Sequence, residues 1–223
     1  MNTVPIAHYS DVLCVWAYIG QVRVKTLQEN FPDQVSFDFH YFSVFGDIPL
    51  KMAEQWAERG GAPAYADHVH EVAAGFEHIT LHDDVWRENI PLSSMPAHLF
   101  LSAAKLLEQD HPDYAGVQQG LDTLLRSAFF EAALDISNND VLTQLVDEAQ
   151  LPVDLILGYL RDGKAHAALA TDVRTAGDKG VKSSPTMLLN EGRQMLAGNV
   201  GYRVLEANIS ELLVDPGDQQ SWC

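Results

Sequence analysis

Two kinds of residue are scarce in this chain of 223 residues: cysteine, with two, and basic residues, with 14 Lys and Arg against 31 Asp and Glu. Two cysteines cannot form the disulfide framework of a small secreted domain, and here Cys14 stands near the start while Cys223 is the final residue. That usage points to a reducing cytoplasm, where a free thiol stays a thiol. The shortage of positive charge leaves a formal net charge of −17, which repels nucleic acid and anionic lipid unless a basic patch offsets it. No window gathers Lys and Arg into such a patch, so neither nucleic acid nor a membrane is expected as a partner, and the acidity reads as a solubility feature. Long apolar runs are missing too: nothing approaches the ~18 uninterrupted apolar residues of a membrane span. The opening "MNTVPIAHYSD" has neither the basic region nor the apolar region of a secretory signal.

What is present is an ordinary balance, 47% hydrophobic and 20% charged. The length suits one large domain, or a domain carrying a sizeable insertion, with a core that needs no staples. Residues 4–9 are an apolar run bounded by turn residues and read as a buried strand. From Ala17 to Phe31 the apolar positions step by three and four, as on a helix. Val35, Phe37, Phe39 and Tyr41 then alternate with polar residues, the period of a strand. The chain therefore opens β-α-β.

From about residue 50 helical patterns dominate. "LKMAEQWAERGGAP" predicts a short helix stopped by Gly60 and Gly61. Pro96 opens a helix through Phe100, Ala104 and Leu107. The stripe Val117, Leu121, Leu124, Leu125, Ala128, Ala132 predicts the clearest amphipathic helix. Ser137 with Asp140 resembles a helix start, and Pro152 begins another helix. A helix over Ala165–Asp178 follows, then strands at Thr186–Leu189 and Gln194–Ala197 around a turn at Asn190-Glu191-Gly192, then a final amphipathic helix. The plan is β-α-β, a helical block, then α-β-β-α. Each flank exposes an apolar face that only the other can cover, so residues 1–49 and 165–213 are expected to share one sheet. Residues 50–164 would be an all-helical insertion and 214–223 a flexible tail.

Cys14 is the chemical focus. It lies between the first strand and the first helix, where unpaired N–H groups and the helix dipole favour an anion, and this predicts a depressed thiol pKa. Asp11 acts the other way if its carboxylate lies close. The bland alternative is a small buried hydrophobe. Histidines give little support for a metal. His78 and His82 are four apart beside Asp83 and Asp84 but outside any helical stripe, and His68 and His70 show strand spacing, so no metal is expected. His98 is expected as a packing or interdomain residue. Trp56, Trp86 and Phe76 are candidates to line a cleft beside Cys14, with core packing as the default.

Four segments, "SDVLCVWAYIG", "AHLFLSAAKL", "LRSAFFEAALDISNNDVLTQLVDEAQL" and "GDKGVKSSPTMLLNEG", resemble the DsbA-like thioredoxin-fold proteins. The resemblance is especially to the cytoplasmic FrnE-like branch, related to kappa-class glutathione transferases and 2-hydroxychromene-2-carboxylate isomerases. The resemblance implies an α/β, thioredoxin-like fold with a large helical insertion. In that family the turn after the first strand commonly carries two cysteines, or two serines in the transferase branch. Here it reads Cys14, Val15, Trp16, Ala17, so the second, resolving thiol is absent. The resemblance assigns Cys14 as the catalytic residue. It implies that Pro185 follows a cis peptide bond beside the thiol and that Ser184 presents its backbone to an extended substrate. Trp16 and Ala17 would join the substrate site, and Gly198 and Asn199 occupy the region where the transferase branch holds glutathione.

The implied function is a cytoplasmic monothiol (C-x-x-A) oxidoreductase acting on a disulfide or glutathione-linked substrate, with a small thiol or peptide as partner, no covalently bound cofactor and glutathione as a co-substrate. The alternatives are a glutathione-dependent transferase or isomerase and a non-catalytic binding protein, and a homodimer stays open as the assembly.

Overall fold

The structure, a computed structural model, describes residues 3–214. Cys223 and the expected tail beyond Val214 lie outside the described residues. The apolar run near the start forms β1 (Val4–Ser10) and the alternating segment forms β2 (Val35–Tyr41), joined through α1 (Val15–Asn30). β1 and β2 pair in parallel, which a crossover helix makes feasible. On its other side β1 pairs antiparallel with β3 (Thr186–Leu189), and β3 pairs antiparallel with β4 (Gln194–Ala197). The sheet order is β2-β1-β3-β4, so segments far apart in sequence share one sheet in a thioredoxin-like arrangement.

Alternation along β1 decides what covers each face. Val4 and Ile6 join Met187 and Leu189 against Val24 and Leu27 of α1 and against Leu205 and Ile209 of α9 (Tyr202–Leu213). Tyr9 and Leu188 face the opposite way, onto Ala176 of α8 (Lys164–Asp178) and Val181.

Between β2 and β3 the chain is helical. α2 (Ile48–Lys51) runs without a break into a π-helical turn at Met52–Trp56 and a 3-10 turn at Ala57–Arg59. Gly60 and Gly61 then take φ values of 108° and 70°, in the left-handed region that glycine tolerates. A new helix, α3 (Gly61–Ala74), starts at once, so the glycine pair is a hinge between helices and not simply a stop. His68 and His70 belong to α3, which corrects the strand-spacing reading. The true pattern is the buried stripe Tyr65, Ala66, Val69, Ala73.

α4 (Met95–Asp110), α5 (Val117–Phe130), α6 (Asn139–Glu148) and α7 (Val153–Arg161) complete the block. α5 ends at Phe130, short of Ala132, and Ala133 has a positive φ of 49°. The α6 cap is Asn138, whose side chain accepts from the Asp140 N–H, while Ser137 is engaged with Asp135. The largest core cluster joins these helices to the start of α1: Val12, Leu13, Val15 and Ile19 pack with Leu101, Leu125, Phe129 and Val146. The loop between β1 and α1 is thus buried where sheet and helical block meet. Among the described residues no helix is long and apolar enough to cross a membrane, and no group of three or more His, Cys, Asp or Glu is placed to hold a metal ion.

Candidate active site

Cys14 is the N-cap of α1, with extended backbone (φ −80°, ψ 115°), and its carbonyl accepts from the Tyr18 N–H at 3.0 Å. The loop before it is fixed by Asp11, whose side chain is fully buried. Oδ1 accepts from the Leu13 N–H at 2.9 Å, and Oδ2 accepts from the N–H groups of Val44 and Phe45 and the hydroxyl of Ser94 at 2.9, 2.8 and 2.8 Å. Burial would raise the pKa of this carboxyl, but the His98 ring and the converging N–H donors outweigh it and hold it below the usual range. One carboxylate therefore ties together the β1–α1 loop, the segment after β2 and the start of α4. His98, expected as a packing or interdomain residue, is fully buried and accepts from the Val12 N–H at 3.1 Å through Nε2.

The proline loop lies against this turn. The Cys14 thiol donates to the Ser184 carbonyl oxygen at 3.2 Å, and the Asp11 N–H donates to Ser184 Oγ at 2.9 Å. The Ser184–Pro185 peptide is cis, and the Gly198 N–H donates to the Pro185 carbonyl at 2.7 Å. Cys14, Ser184, Pro185 and Gly198 thus come together, with Ala17 in the first turn of α1. Trp16 is half-buried and meets Phe76 edge-on, ring centroids 6.1 Å apart. Asn199 is less central: its Oδ1 accepts from Arg23, more than two turns along α1. Of the aromatic candidates, Trp86 is core and Trp56 packs edge-on against Tyr65.

The expectation of a depressed thiol pKa is overturned. Cys14 is only 6% exposed, and burial pushes its pKa above the ordinary cysteine value. The Ser184 hydrogen bond, the Ala17 N–H and the Arg126 guanidinium oppose this shift without cancelling it, and Asp11 adds to it. A helix terminus stabilises an anion, but removing the sulfur from water costs more here.

Three further residues couple electrostatically to the thiol. Arg126 of α5, 1% exposed, donates from Nη1 to the carbonyls of Asp11 and Val12 at 3.2 and 3.3 Å. It also donates from Nη2 to Ser10 Oγ at 3.0 Å and from Nε to Asp122 at 2.9 Å. Its guanidinium clamps the loop preceding Cys14. Lys51 has its pKa lowered by burial, with the negative charges of Asp11 and Cys14 opposing, and its ammonium sits 4.9 Å from the Phe45 ring centre. Tyr65 is pushed well above the ordinary phenol value by burial together with the charges of Cys14 and Asp11. Sequence reasoning missed all three. A signal for Arg126 was available: Gln118, Asp122 and Arg126 fall at four-residue steps inside the apolar stripe of α5, where charge is expensive unless it has work.

Comparison with known proteins agrees with this architecture. The model of the DSBA-like thioredoxin domain matches residues 5–210. A protein described as a probable DsbA oxidoreductase from Streptomyces coelicolor superposes with a TM-score of 0.73 at 19% identity, covering 99% of this chain and 93% of the other. The cytosolic disulfide reductase DsbM from Pseudomonas aeruginosa gives 0.67 at 16% identity, covering 93% and 99%. A 2-hydroxychromene-2-carboxylate isomerase gives 0.62 at 12% identity, covering 97% and 100%. No curated protein matches the sequence at a significant level. With its sheet order, its thiol at the head of α1 and a family match over nearly its whole length, the chain belongs to the DsbA-like thioredoxin-domain family.

Proposed function

We propose that the protein is a monothiol oxidoreductase that uses glutathione to reduce small glutathione-linked disulfides. The observation that carries this reading is the pairing of a thiol 3.2 Å from the Ser184 carbonyl with an alanine, Ala17, where a resolving cysteine would stand. A dithiol site cleaves its own mixed disulfide; with Ala17 the second thiol must come from outside. The Cys14 thiolate attacks the glutathione sulfur of a mixed disulfide R–S–S–G. That S–S bond breaks, R–S⁻ leaves and takes a proton, and a Cys14–glutathione disulfide remains. A second glutathione thiolate attacks the bound glutathione sulfur, forming oxidised glutathione and restoring the Cys14 thiolate. In sum, the mixed disulfide and one glutathione give R–SH and oxidised glutathione.

Burial supports a slender substrate over a folded protein disulfide, because a cysteine only 6% exposed admits only a narrow approach. In this reading Trp16, Ala17, Ser184, Pro185, Gly198 and Asn199 form the substrate seat, no bound cofactor is used, and a reducing cytoplasm supplies the glutathione. The Pseudomonas DsbM has been solved with GSH, at 16% identity to this chain.

One observation favours a second reading. Burial keeps the Cys14 thiol protonated at neutral pH, and a protonated thiol can donate a hydrogen bond to a glutathione thiolate, as the serine of a transferase or isomerase does. Cys14→Ser separates the two. Assayed for glutathione-coupled reduction of a hydroxyethyl–glutathione disulfide in a Cys223→Ser background, the parent should turn over only with glutathione and Cys14→Ser should fall to background. Ala17→Cys should close an internal disulfide, since first-turn positions three apart are neighbours. A parent that turns over equally fast when free cysteine replaces glutathione as the reductant would overturn the glutathione-resolved reading. Full activity in Cys14→Ser would transfer support to the transferase or isomerase reading.

A further inference from the structure

Pro185 borders a narrow cleft, lined with it by Gly198, Val200 and, from α1, Gly20 and Arg23. The room inside is about 20 Å³, somewhat more than the ~10–15 Å³ that seats one water, so it takes the end of a molecule and not a whole one. Arg23 carries the charge in this lining, because burial lowers the pKa of the neighbouring His8 to about 4 and leaves it neutral at pH 7. Arg23 is half-buried, and burial lowers its pKa. Its Nη1 donates to Asn199 Oδ1, while among the described residues Nε and Nη2 have no acceptor and the guanidinium has no ion pair. Arg87, Arg126 and Arg193, by contrast, each meet a carboxylate. A guanidinium with one edge open is the geometry that takes a carboxylate by two parallel hydrogen bonds.

The side chain folds back toward the thiol. Arg23 Nη1 lies 3.9 Å from where a Cβ on Gly20 would stand, and Gly20 is about 9 Å along α1 from Cys14. An extended tripeptide spans about 10 Å. With a glutathionyl sulfur at Cys14, the longer γ-glutamyl arm reaches that far and ends in a carboxylate, and the glycine arm falls short. The chain itself carries a net charge of −17 and glutathione two carboxylates. Approach is therefore repulsive overall, and a local cation is needed to hold the anion.

We propose that Arg23, with Asn199, binds the γ-glutamyl carboxylate of the glutathionyl unit and sets a preference for glutathione over shorter thiols. The inference rests on the glutathione reading above and adds to it a specificity residue outside the Cys14–Pro185 motif.

The test is an NMR titration of the full chain with S-methylglutathione and S-methylcysteinylglycine, thioethers that cannot undergo disulfide exchange. The second lacks the γ-glutamyl arm. The parent should bind the first at least tenfold more tightly. Arg23→Gln should lose tenfold or more for S-methylglutathione and leave S-methylcysteinylglycine within twofold. Asn199→Asp, at an exposed position, sets a competing carboxylate against the guanidinium and should lose as much. Lys25→Gln, the same charge change at an exposed site on α1, should bind both ligands as the parent does. No binding of S-methylglutathione by the parent would overturn the proposal. So would equal affinity for the two ligands, a smaller loss in both Arg23→Gln and Asn199→Asp, or an equal loss in Lys25→Gln. Cys14-dependent turnover of the hydroxyethyl–glutathione disulfide judges the thiol chemistry separately, so the two readings can fail independently.

Discussion

At Cys14, burial and helix position pull the thiol in opposite directions, and burial prevails. Since the thiolate is the nucleophile, reactivity follows the ionised fraction. In a Cys223→Ser background, alkylation of Cys14 should be slower than that of an unstructured cysteine at pH 7. It should climb about tenfold per pH unit with no plateau below about pH 9. A plateau below pH 8 would mean the helix terminus governs after all. At this scale the sequence made Cys14, Ser184 and Pro185 visible, because a family pattern marks them. It also raised Asp11 as an opposing charge. It could not reveal that Cys14 is almost wholly buried, since burial depends on the helical block packed over the loop. Lys51 and Tyr65 reach the site by the same route and carry no local pattern.

Among the elements, α5 does the most to hold the site. Its Arg126 is a buried charge whose desolvation cost is offset by Asp122 and by acceptors on the loop before Cys14. Arg126→Met should cost about 3–5 kcal/mol in urea unfolding, because it leaves Asp122 buried without its cation. The double variant Asp122→Leu/Arg126→Met should cost clearly less than the single. A single variant that loses less than about 1 kcal/mol would show that the clamp is not structural. Elements with a steady period were legible in sequence: β2, α4, and the strands Thr186–Leu189 and Gln194–Ala197 emerge with the expected bounds or nearly so. α3 was not legible, because His68, Val69 and His70 alternate like a strand while the helical stripe rests partly on small alanines. The short helix ahead of Gly60 was legible over Ile48–Arg59, but its π and 3-10 turns were not, since no residue type marks a π-turn.

Over the whole molecule, sheet and helical block are joined by polar contacts as well as by the core. His40 on β2 bridges Asp172 of α8 at 2.7 Å and Asp38 at 2.9 Å, with Tyr9 stacked on its ring, and Lys105 of α4 also reaches Asp38. Burial would lower the His40 pKa, but its hydrogen bonds to the two carboxylates outweigh burial and the Lys105 charge, so the folded-state value is raised above 6.5. A raised folded-state pKa means that the stabilisation is complete below the unfolded value and is lost as pH rises through the folded one. The urea midpoint should therefore fall between about pH 6 and pH 9, and His40→Gln should flatten that fall; an unchanged slope in the variant would refute the assignment. That two distant flanks form one sheet was legible from the cover each apolar face requires, as with Val4 and Ile6 against Leu205 and Ile209.

The central claim is that Cys14 works as a single thiol resolved by glutathione. Intact-mass spectrometry of the Cys223→Ser protein after incubation with oxidised glutathione tests it most directly. The predicted result is one glutathionyl adduct per chain, mapped to Cys14, formed faster as pH rises and fully released by added glutathione. A protein that stays unmodified at alkaline pH, or an adduct that glutathione cannot remove, would contradict it.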